Sequence, residues 1–256
     1  MKQKTGVRTM YILDGGDFVC EMGMLKYGAN NAGNIRIAVP FYAFDTSEGV
    51  IMYDTGWFED FTPFLEQIGW EPKITPFNNA LNQLKRIGIS PADVKKIVLS
   101  HLHYDHAGGL KYFPEADVYV QKDEYAYACN PNSFLALSYA EKAPFSDPDI
   151  KWKLLEGDLS LMPGLTLIMA SGHTPGLQGL IVELPESGFY ILGSDSAYLQ
   201  DNIDLNIPAG ICWNPVASQY TIKRFKALQS VLNARYFPGH DFEFFTKSVK
   251  YAQAYK

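Results

Sequence analysis

All five histidines of this 256-residue chain lie where they suit metal binding. Three belong to the hexapeptide that runs from His101 to His106, and the other two, His173 and His240, lie in glycine-bearing turns. A neutral imidazole is the commonest metal ligand in proteins, and its ordinary pKa lets it bind metal near pH 7. Because no histidine is left over for packing or for the surface, we expect the chain to fold around a metal site.

Segments with the composition of buried strands lead into these positions. The segment–ligand pairs are 97–100 with His101, 167–170 with His173, 190–194 with Asp195 and 236–239 with His240. Ligands collect beyond the carboxyl ends of strands in open α/β sheets, so the four pairs predict one shared site. In extended chain His101 and His103 point the same way and can share a metal, whereas Asp105 and His106 diverge and suit a second metal.

The donor set is composed of imidazole and carboxylate without thiolate. Such a set favours zinc, with iron, manganese and cobalt left open. The three cysteines, Cys20, Cys129 and Cys212, are far apart and outside the ligand turns. They indicate neither a disulfide framework nor a thiolate cluster, and we expect free thiols in a reducing compartment. Structural zinc sites are usually closed and rich in cysteine, so an open catalytic site is favoured.

Length and composition predict one domain over residues 1–256. Apolar residues make up 47% of the chain, enough for one large core. The net charge is −6 and the basic residues are scattered, which argues against a nucleic-acid partner. The sequence shows neither an N-terminal signal-like apolar run nor a stretch of roughly 20 apolar residues. We therefore expect a cytoplasmic protein without a membrane partner.

Apolar, β-branched and aromatic segments alternate with helical patterns, which predicts a mixed sheet covered by helices. The predicted strands are Met10–Leu13, Ile35–Phe44, Gly49–Tyr53, Lys96–Ser100, Asp117–Gln121, Leu165–Ala170, Gly179–Leu184, Gly188–Gly193 and Arg235–Phe237. Helices are predicted at Phe77–Ile87, after the cap Ser90 and at Ala217–Leu232. Residues 124–147 could form a helical flap, a homodimer contact or an irregular connection.

The motif His101-x-His103-x-Asp105-His106, followed later by His173, Asp195 and His240, resembles the metallo-β-lactamase superfamily. Asp54, in Asp54-Thr55-Gly56, also matches, at a position where the superfamily supports its ligands from outside the metal shell. The resemblance implies an αββα sandwich of two mixed sheets flanked by helices, with a dinuclear site at one edge. The implied ligands are His101, His103 and His173 for one ion, Asp105, His106 and His240 for the other, and Asp195 between them.

Within that superfamily the chain looks like the N-acyl-homoserine lactonases. Tyr198 follows Asp195 in the spacing Asp-x-x-Tyr, and Tyr104 stands where the group commonly has Phe. The resemblance implies opening of the homoserine lactone ring by a metal-bridging hydroxide, with Tyr198 on the substrate carbonyl and Asp105 as the proton carrier. The implied substrate-binding residues are Met22, Met24, Tyr104, Tyr198 and Gly210, and the nearby aromatics Trp57 and Phe58 are further candidates for the acyl-chain channel. Methionines placed as Met22 and Met24 are more often core residues.

Other activities on the same scaffold stay open at this point. Glyoxalase-II-type thioesterases share all seven ligands, but they add basic residues near the C-terminus, where residues 242–256 hold three lysines and no arginine. Another carboxyl-ester hydrolase is a further alternative. Diiron redox relatives place Glu where this chain has His103, and a non-catalytic relative would lack a ligand.

Overall fold

Two β-sheets packed face to face form the centre of the protein, in a computed structural model that describes residues 5–29, 32–57, 62–139 and 147–256. The strands are β1 Val7–Glu21, β2 Asn34–Thr46, β3 Gly49–Tyr53, β4 Glu71–Lys73, β5 Val94–Val98, β6 Asp117–Gln121, β7 Lys151–Leu155, β8 Leu159–Met162, β9 Leu165–Met169, β10 Gln178–Leu184, β11 Gly188–Leu192, β12 Arg235–Phe237 and β13 Ala254–Tyr255. The helices are α1 Met22–Leu25, α2 Thr62–Gln67, α3 Ala80–Arg86, α4 Tyr104–Ala107, α5 Lys122–Cys129, α6 Gln200–Leu205, α7 Pro215–Leu232 and α8 Phe242–Lys247.

Both sheets contain parallel and antiparallel pairs. The first sheet has the order β13-β1-β2-β3-β5-β6-β7, with β4 paired to β1. In it β1, β2 and β3 are antiparallel, whereas β3, β5, β6 and β7 are parallel. The second sheet has the order β12-β11-β10-β9-β8, and only its β11–β12 pair is parallel among the described strands. The expected αββα sandwich of two mixed sheets is confirmed.

The core between the sheets follows from the two-residue alternation of side chains along each strand. In β2, Tyr42 and Phe44 face the second sheet, where they join Leu180 and Val182 of β10 in one buried cluster. Phe41 and Ala43 alternate with them in sequence and pack on the opposite face of the sheet. Strands with apolar residues on both faces require cover on both sides, which the helices supply.

The helices pack on the two outer faces. Ala80 and Leu84 of α3 pack against Met52 and Ile97 under the first sheet. On the other side, the apolar stripe of α7, which includes Ile222 and Phe225, packs under the second sheet. The fold thus has four layers, and the ends of the strands are free to carry loops.

Helix α7 begins two residues before its predicted start because its N-terminus is capped by the side chain of Asn214. The Asn214 side chain accepts hydrogen bonds from the backbone N–H groups of Val216 and Ala217, each at 3.1 Å. Pro215 occupies the first helical position, where a missing N–H costs nothing. The predicted end at Leu232 is confirmed, and Asn233 follows in the left-handed conformation with φ 50°.

The predicted helix at 77–87 and the predicted helix after Ser90 both come out shorter. The first is divided into a 3₁₀ turn at Pro76–Asn78 and α3, because Asn79 caps α3 from within the predicted span by accepting a bond from Asn82. Only one 3₁₀ turn, Pro91–Asp93, follows Ser90, since β5 begins at Val94.

Four strands were not anticipated, and β1 is much longer than the predicted Met10–Leu13. The additional strands β4, β7, β8 and β13 are short, and β7 and β8 lie at sheet edges. Strand β1 continues past a register shift between Asp14 and Asp17, where Gly16 takes φ 89°. A glycine pair reads as a turn in the sequence, but here it makes an irregularity inside one strand.

The segment 124–147 contains the greater part of α5 and a 3₁₀ turn at Ala136–Tyr139. Residues 140–146 lie outside the described residues, and so does part of the predicted homodimer contact. Across the described ranges, none of the helices combines the length and the apolar character needed to cross a membrane.

The hydroxyl of Tyr53 joins the two sheets. It donates to the backbone carbonyl of Gln178 at 2.8 Å, and both groups are buried. We expect Tyr53→Phe to lower the free energy of unfolding by about 1–3 kcal/mol, because a buried acceptor loses its donor. Urea unfolding measures the change, and Tyr220→Phe, at a side chain that is 69% exposed, should leave stability unaltered. Equal stability of both variants would contradict this role.

Candidate metal centre

Strand ends from both sheets deliver the candidate ligands to one edge of the sandwich. The loop after β5 carries His101 and His103 and passes into α4, which contains Asp105 and His106. In the second sheet, β9, β11 and β12 run in the same direction and are followed by the other three candidates, which are His173, Asp195 and His240. The structure brings all seven side chains together, in two groups of donor atoms.

The first group consists of His101, His103, His173 and Asp195. The Nε2 atom of His173 lies 3.2 Å from Nε2 of His101 and 3.1 Å from Nδ1 of His103. The Oδ2 atom of Asp195 lies 3.3 Å from Nε2 of His173 and 3.6 Å from Nε2 of His101. Four donors therefore surround one point from different sides.

The second group consists of Asp105, His106 and His240, with Asp195 beside it. The Oδ1 atom of Asp195 lies 3.3 Å from Nε2 of His106 and 3.0 Å from Nε2 of His240. The Oδ2 atom of Asp105 lies 3.5 Å and 3.7 Å from the same two nitrogens. Since Oδ2 of Asp195 faces the first group and Oδ1 faces the second, this carboxylate lies between them as a bridging ligand would.

The spacing of the donors fits divalent metal ions. Zinc–nitrogen bonds of 2.0–2.1 Å in a tetrahedron place neighbouring ligand atoms about 3.3 Å apart. The separations above centre on that value. The Nε2 atom of His106 is buried and has no hydrogen-bond partner among the described residues. An unpartnered buried nitrogen is costly unless a ligand of another kind satisfies it, so the residues fit a dinuclear centre.

Four of the five imidazoles are oriented by a hydrogen bond at the ring nitrogen that faces away from the donor cluster. The partners are Ser100 Oγ for His101 at 2.9 Å, Asp54 Oδ2 for His106 at 2.8 Å, the Ile211 carbonyl for His173 at 2.6 Å and the Ala38 carbonyl for His240 at 2.7 Å. An acceptor at one nitrogen fixes the proton there and leaves the other nitrogen's lone pair for the metal.

Asp54 connects the end of β3 to the ligand loop. Its carboxylate accepts bonds from the backbone N–H of Ser100 at 2.6 Å, from the Ser100 hydroxyl at 2.8 Å and from His106. Asp54 has φ 60° and Ser194, beside Asp195, has φ 47°. Non-glycine residues in this region are strained and persist where the surroundings over-determine them, commonly at functional sites.

Burial lowers the pKa of His101, His103 and His173 below the ordinary value, because a charged imidazole loses hydration in the interior and its neighbours are other imidazoles. These three rings are therefore neutral at neutral pH. A neutral imidazole is the form that binds a metal ion.

The carboxylates reverse this effect in the second group. Burial by itself lowers the pKa of His106, but Asp195, Asp105 and Asp54 raise it well above its usual range. The pKa of His240 is raised for the same reason, mainly by Asp195. Burial raises the pKa of Asp195, but the histidines, His240 first, bring it well below its usual range. Asp195 is thus an anion shared among cationic imidazoles. Bound metal ions would supply that positive charge instead.

Two cavities adjoin the cluster. A small cavity of about 30 Å³ is lined by Asp105, Asp195, Tyr198 and His240, and also by Met24. A larger cavity of about 330 Å³ shares Met24, Trp70 and Tyr104 with the lining of the small one and has mostly apolar walls. Its lining includes Met24, Tyr104 and Gly210 from the sequence prediction, together with Ile68, Trp70 and Phe134.

The predicted substrate-binding residues do not all lie in these walls. Met22 is not among the described residues that line either cavity, and it packs half-buried against the cluster around Phe18. Trp57, considered for the channel, is buried behind Tyr104, with the two rings stacked at 6.2 Å. Phe58, also considered, lies outside the described residues.

Tyr198 lies next to the donor cluster. Its side chain is 4% exposed, and its hydroxyl is 3.4 Å from Nδ1 of His173. Burial and the charge of Asp195 raise the pKa of Tyr198 well above its usual range, so the phenol keeps its proton. It can donate a hydrogen bond into the small cavity.

Sequence reasoning missed the wall residues Ile68, Trp70, Phe134 and Ser138. Trp70 stacks on Phe18 with ring centroids 4.6 Å apart, which places a residue of the segment after α2 against β1. No local pattern marks these positions, because they are separated in sequence from the ligand motif and only the folded chain brings them to it.

Comparison with known families places the chain in a superfamily. The sequence model of the Metallo-beta-lactamase superfamily matches residues 36–240. The protein belongs to that superfamily.

Its relatives include proteins of named activity. It is 30% identical over 245 residues to N-acyl homoserine lactonase AiiA of Bacillus thuringiensis subsp. kurstaki, covering 93% of this chain and 94% of the relative. It is 31% identical to N-acyl homoserine lactonase AttM of Rhizobium radiobacter, covering 91% and 92%.

Solved structures agree in fold. A quorum-quenching N-acyl homoserine lactone hydrolase superposes with a TM-score of 0.88 at 28% identity over 99% of this chain and 100% of that one. A second structure of such a hydrolase, with N-hexanoyl-L-homoserine at its catalytic metal center, has a TM-score of 0.88 at 29% identity over 97% and 99%.

The second group depends on His106, which supplies one of its two imidazoles. We expect His106→Ala to reduce the bound metal from two ions per chain to one, since a nitrogen ligand is lost while the first group stays complete. Elemental analysis of the purified protein measures the content, with Tyr220→Phe as the control that keeps two ions. A variant that retains two ions would contradict the assignment of His106 as a ligand of the second ion.

Proposed function

We propose that this protein is a dinuclear metal-dependent lactonase that opens the homoserine lactone ring of N-acyl-homoserine lactones. The observation that carries the proposal is a polar donor cluster with Tyr198 at one end of a largely apolar cavity. That combination matches a substrate with a reactive ester ring and an alkyl tail. It is supported by the relatives named N-acyl homoserine lactonase and by the related hydrolase with N-hexanoyl-L-homoserine at its metal centre.

In this proposal the ligands fall into the two groups seen in the structure. His101, His103 and His173 would hold one ion, Asp105, His106 and His240 would hold the other, and Asp195 would contribute one carboxylate oxygen to each. Two divalent ions bound there would supply a water nucleophile at neutral pH and Lewis acidity towards the carbonyl oxygen. Asp54 and Ser100 keep the imidazoles of His106 and His101 in the required tautomer through the bonds described above.

Tyr198 is assigned to the lactone carbonyl oxygen. Negative charge develops on that oxygen as the carbonyl carbon becomes tetrahedral, and a donor fixed beforehand in a buried position stabilises it without reorganisation. The raised pKa of Tyr198 ensures that the phenol is the donor.

Asp105 is assigned to proton transfer. Its side chain borders the small cavity and is about 12% exposed, so it reaches the reacting ester. A new bond forms between the carbonyl carbon and the water oxygen, and the bond from that carbon to the ring oxygen breaks. Asp105 transfers a proton of the water to the departing ring oxygen, which leaves an N-acyl-homoserine whose carboxyl group releases one proton to solvent.

The alkyl tail is assigned to the larger cavity, beside Met24 and Tyr104. Gly210 brings backbone close to this wall, because a Cβ there would lie 1.8 Å from the carbonyl oxygen of Gly23. A side chain at position 210 would push the wall away from α1. We assign to Gly210 a backbone contact with the polar part of the substrate.

The metal and the compartment are part of the same proposal. A set of five imidazoles and two carboxylates at near-tetrahedral spacing suits zinc. Cys20, Cys129 and Cys212 are all free, which suits the reducing cytoplasm.

Hydrolysis of a lactone panel tests the activity directly. Ring opening releases one proton at neutral pH, so pH-stat titration of purified, metal-analysed protein should show turnover of N-acyl-homoserine lactones. We expect KM to rise as the acyl chain is shortened, because less apolar surface is buried. A glutathione thioester is tested on the same sample. Hydrolysis of the thioester with no ring opening would replace the proposal by a glyoxalase-II-type activity.

Tyr198→Phe tests the donor to the carbonyl oxygen. A main oxyanion donor contributes about 2.7–4 kcal/mol; since metal ions share the task, we expect kcat to fall by about tenfold, or about 1.4 kcal/mol. Metal content should be unaltered. The matched control is Tyr42→Phe, at a buried phenol of the core between the sheets. An unaltered kcat would remove the role given to Tyr198.

A further inference from the structure

Glu124, in α5, is a fully buried carboxylate that the proposed reaction does not use. Burial raises its pKa, while hydrogen bonds from its neighbours oppose that shift. A buried carboxylate without a cationic partner is costly, and proteins retain one where its hydrogen bonds have a use. The partners of Glu124 indicate that use.

The carboxylate joins the two loops that supply the three histidines of the first ligand group. Its Oε1 atom accepts from the backbone N–H of Leu102, between His101 and His103, at 3.0 Å. Its Oε2 atom accepts from the backbone N–H of Gly176, three residues after His173, at 3.2 Å. Each bond connects α5 to backbone beside the proposed histidine ligands.

Tyr139 extends this connection to His103. Its hydroxyl donates to Oε1 of Glu124 at 2.8 Å, and its ring packs edge-on against the His103 imidazole, with centroids 4.6 Å apart. The other four histidines have a hydrogen bond at the nitrogen that faces away from the cluster. By contrast, Nε2 of His103 has no hydrogen-bond partner among the described residues. The orientation of this ring therefore depends on packing, to which Tyr139 contributes directly.

The close approach of the loop after β9 to α5 supports the same connection. A Cβ on Gly176 would lie 2.3 Å from the backbone nitrogen of Glu124, so a residue with a side chain would separate the loop from α5. Three donors and no acceptor surround the carboxylate in these bonds. An amide in its place would set an N–H group against an N–H or O–H group, so Gln cannot reproduce the arrangement.

From these contacts we infer that Glu124 is a positioning residue for the metal ion of His101, His103 and His173. It sets the separation of the two ligand loops and, through Tyr139, the angle of the His103 ring. The inference rests on the proposed metal site, but it concerns one half of that site only. The described contacts of Glu124 are to the first group's loops, so the ion of Asp105, His106 and His240 should be little affected.

Chelator competition with Zn²⁺ tests the inference without any lactone. We expect Glu124→Gln to weaken the binding of one of the two zinc ions by about 10–100-fold, the range typical of changes to groups that orient ligands. The affinity for the other ion should stay within about twofold. Tyr139→Phe, which keeps the ring packed on His103, should weaken the binding of the same ion by a smaller factor. It also supplies the result if Glu124→Gln does not fold.

Thr46→Val is the matched control. It removes a buried hydroxyl that donates to the Gly49 carbonyl at 2.7 Å, at the opposite end of β3 from Asp54. It should lower the free energy of unfolding without weakening the binding of either zinc ion. Unaltered affinity in both Glu124→Gln and Tyr139→Phe, or equal weakening of the two ions, would overturn the inference.

A second readout separates this inference from the proposed function. In the metal-free protein, nitrogen NMR of the imidazoles should show the His103 and His173 resonances moved in Glu124→Gln and the His240 resonance unmoved. If wild-type protein bound no zinc, the proposed function would fail while the shifts still reported on positioning. Unmoved His103 and His173 resonances would defeat the positioning role itself.

Discussion

The Asp195 carboxylate, buried between two sets of imidazoles, is the interaction on which the site depends. One of its oxygens faces each set, and its charge and theirs determine which protonation states the interior can contain. Burying seven ionisable groups together is unfavourable unless their charges are balanced and their hydrogen bonds satisfied. The first group meets that condition only partly with neutral imidazoles, and the second only partly with imidazoles paired to carboxylates. Divalent cations bound among these donors would complete the balance of charge.

The sandwich makes this concentration of polar groups possible by placing it at an edge. Between the sheets lies a large apolar cluster, whereas at the strand ends loops from both sheets meet and their backbone groups become hydrogen-bond partners. The left-handed residues Asp54 and Ser194 show that the chain accepts strain there. The stability needed to tolerate that strain comes from the apolar layers behind the site.

Much of the architecture was predictable because it follows from local pattern. The alternation in β2, β10 and β11 and the stripe and cap of α7 are local properties, and those elements were located to within a few residues. The strands β4, β7, β8 and β13 were not, because most of their residues are exposed or half-buried and such strands carry a weaker apolar pattern; they form where a neighbouring strand is available. The helix predicted at 77–87 was wrong in extent because Asn79 could be read as an interior residue or as a cap.

The sequence alone determined the kinds of donor atom and their order along the chain, since histidine and aspartate at strand ends have few other uses in such numbers. The supporting residues Ser100, Glu124 and Tyr139, and the wall residues Trp70 and Ile68, were decided by the tertiary structure. Their effect depends on distances of about 3 Å between separate segments of the chain, such as Ser100 to Asp54 and Glu124 to Leu102 and Gly176. Such distances are set by how helices and sheets pack, and packing is a property of the whole chain.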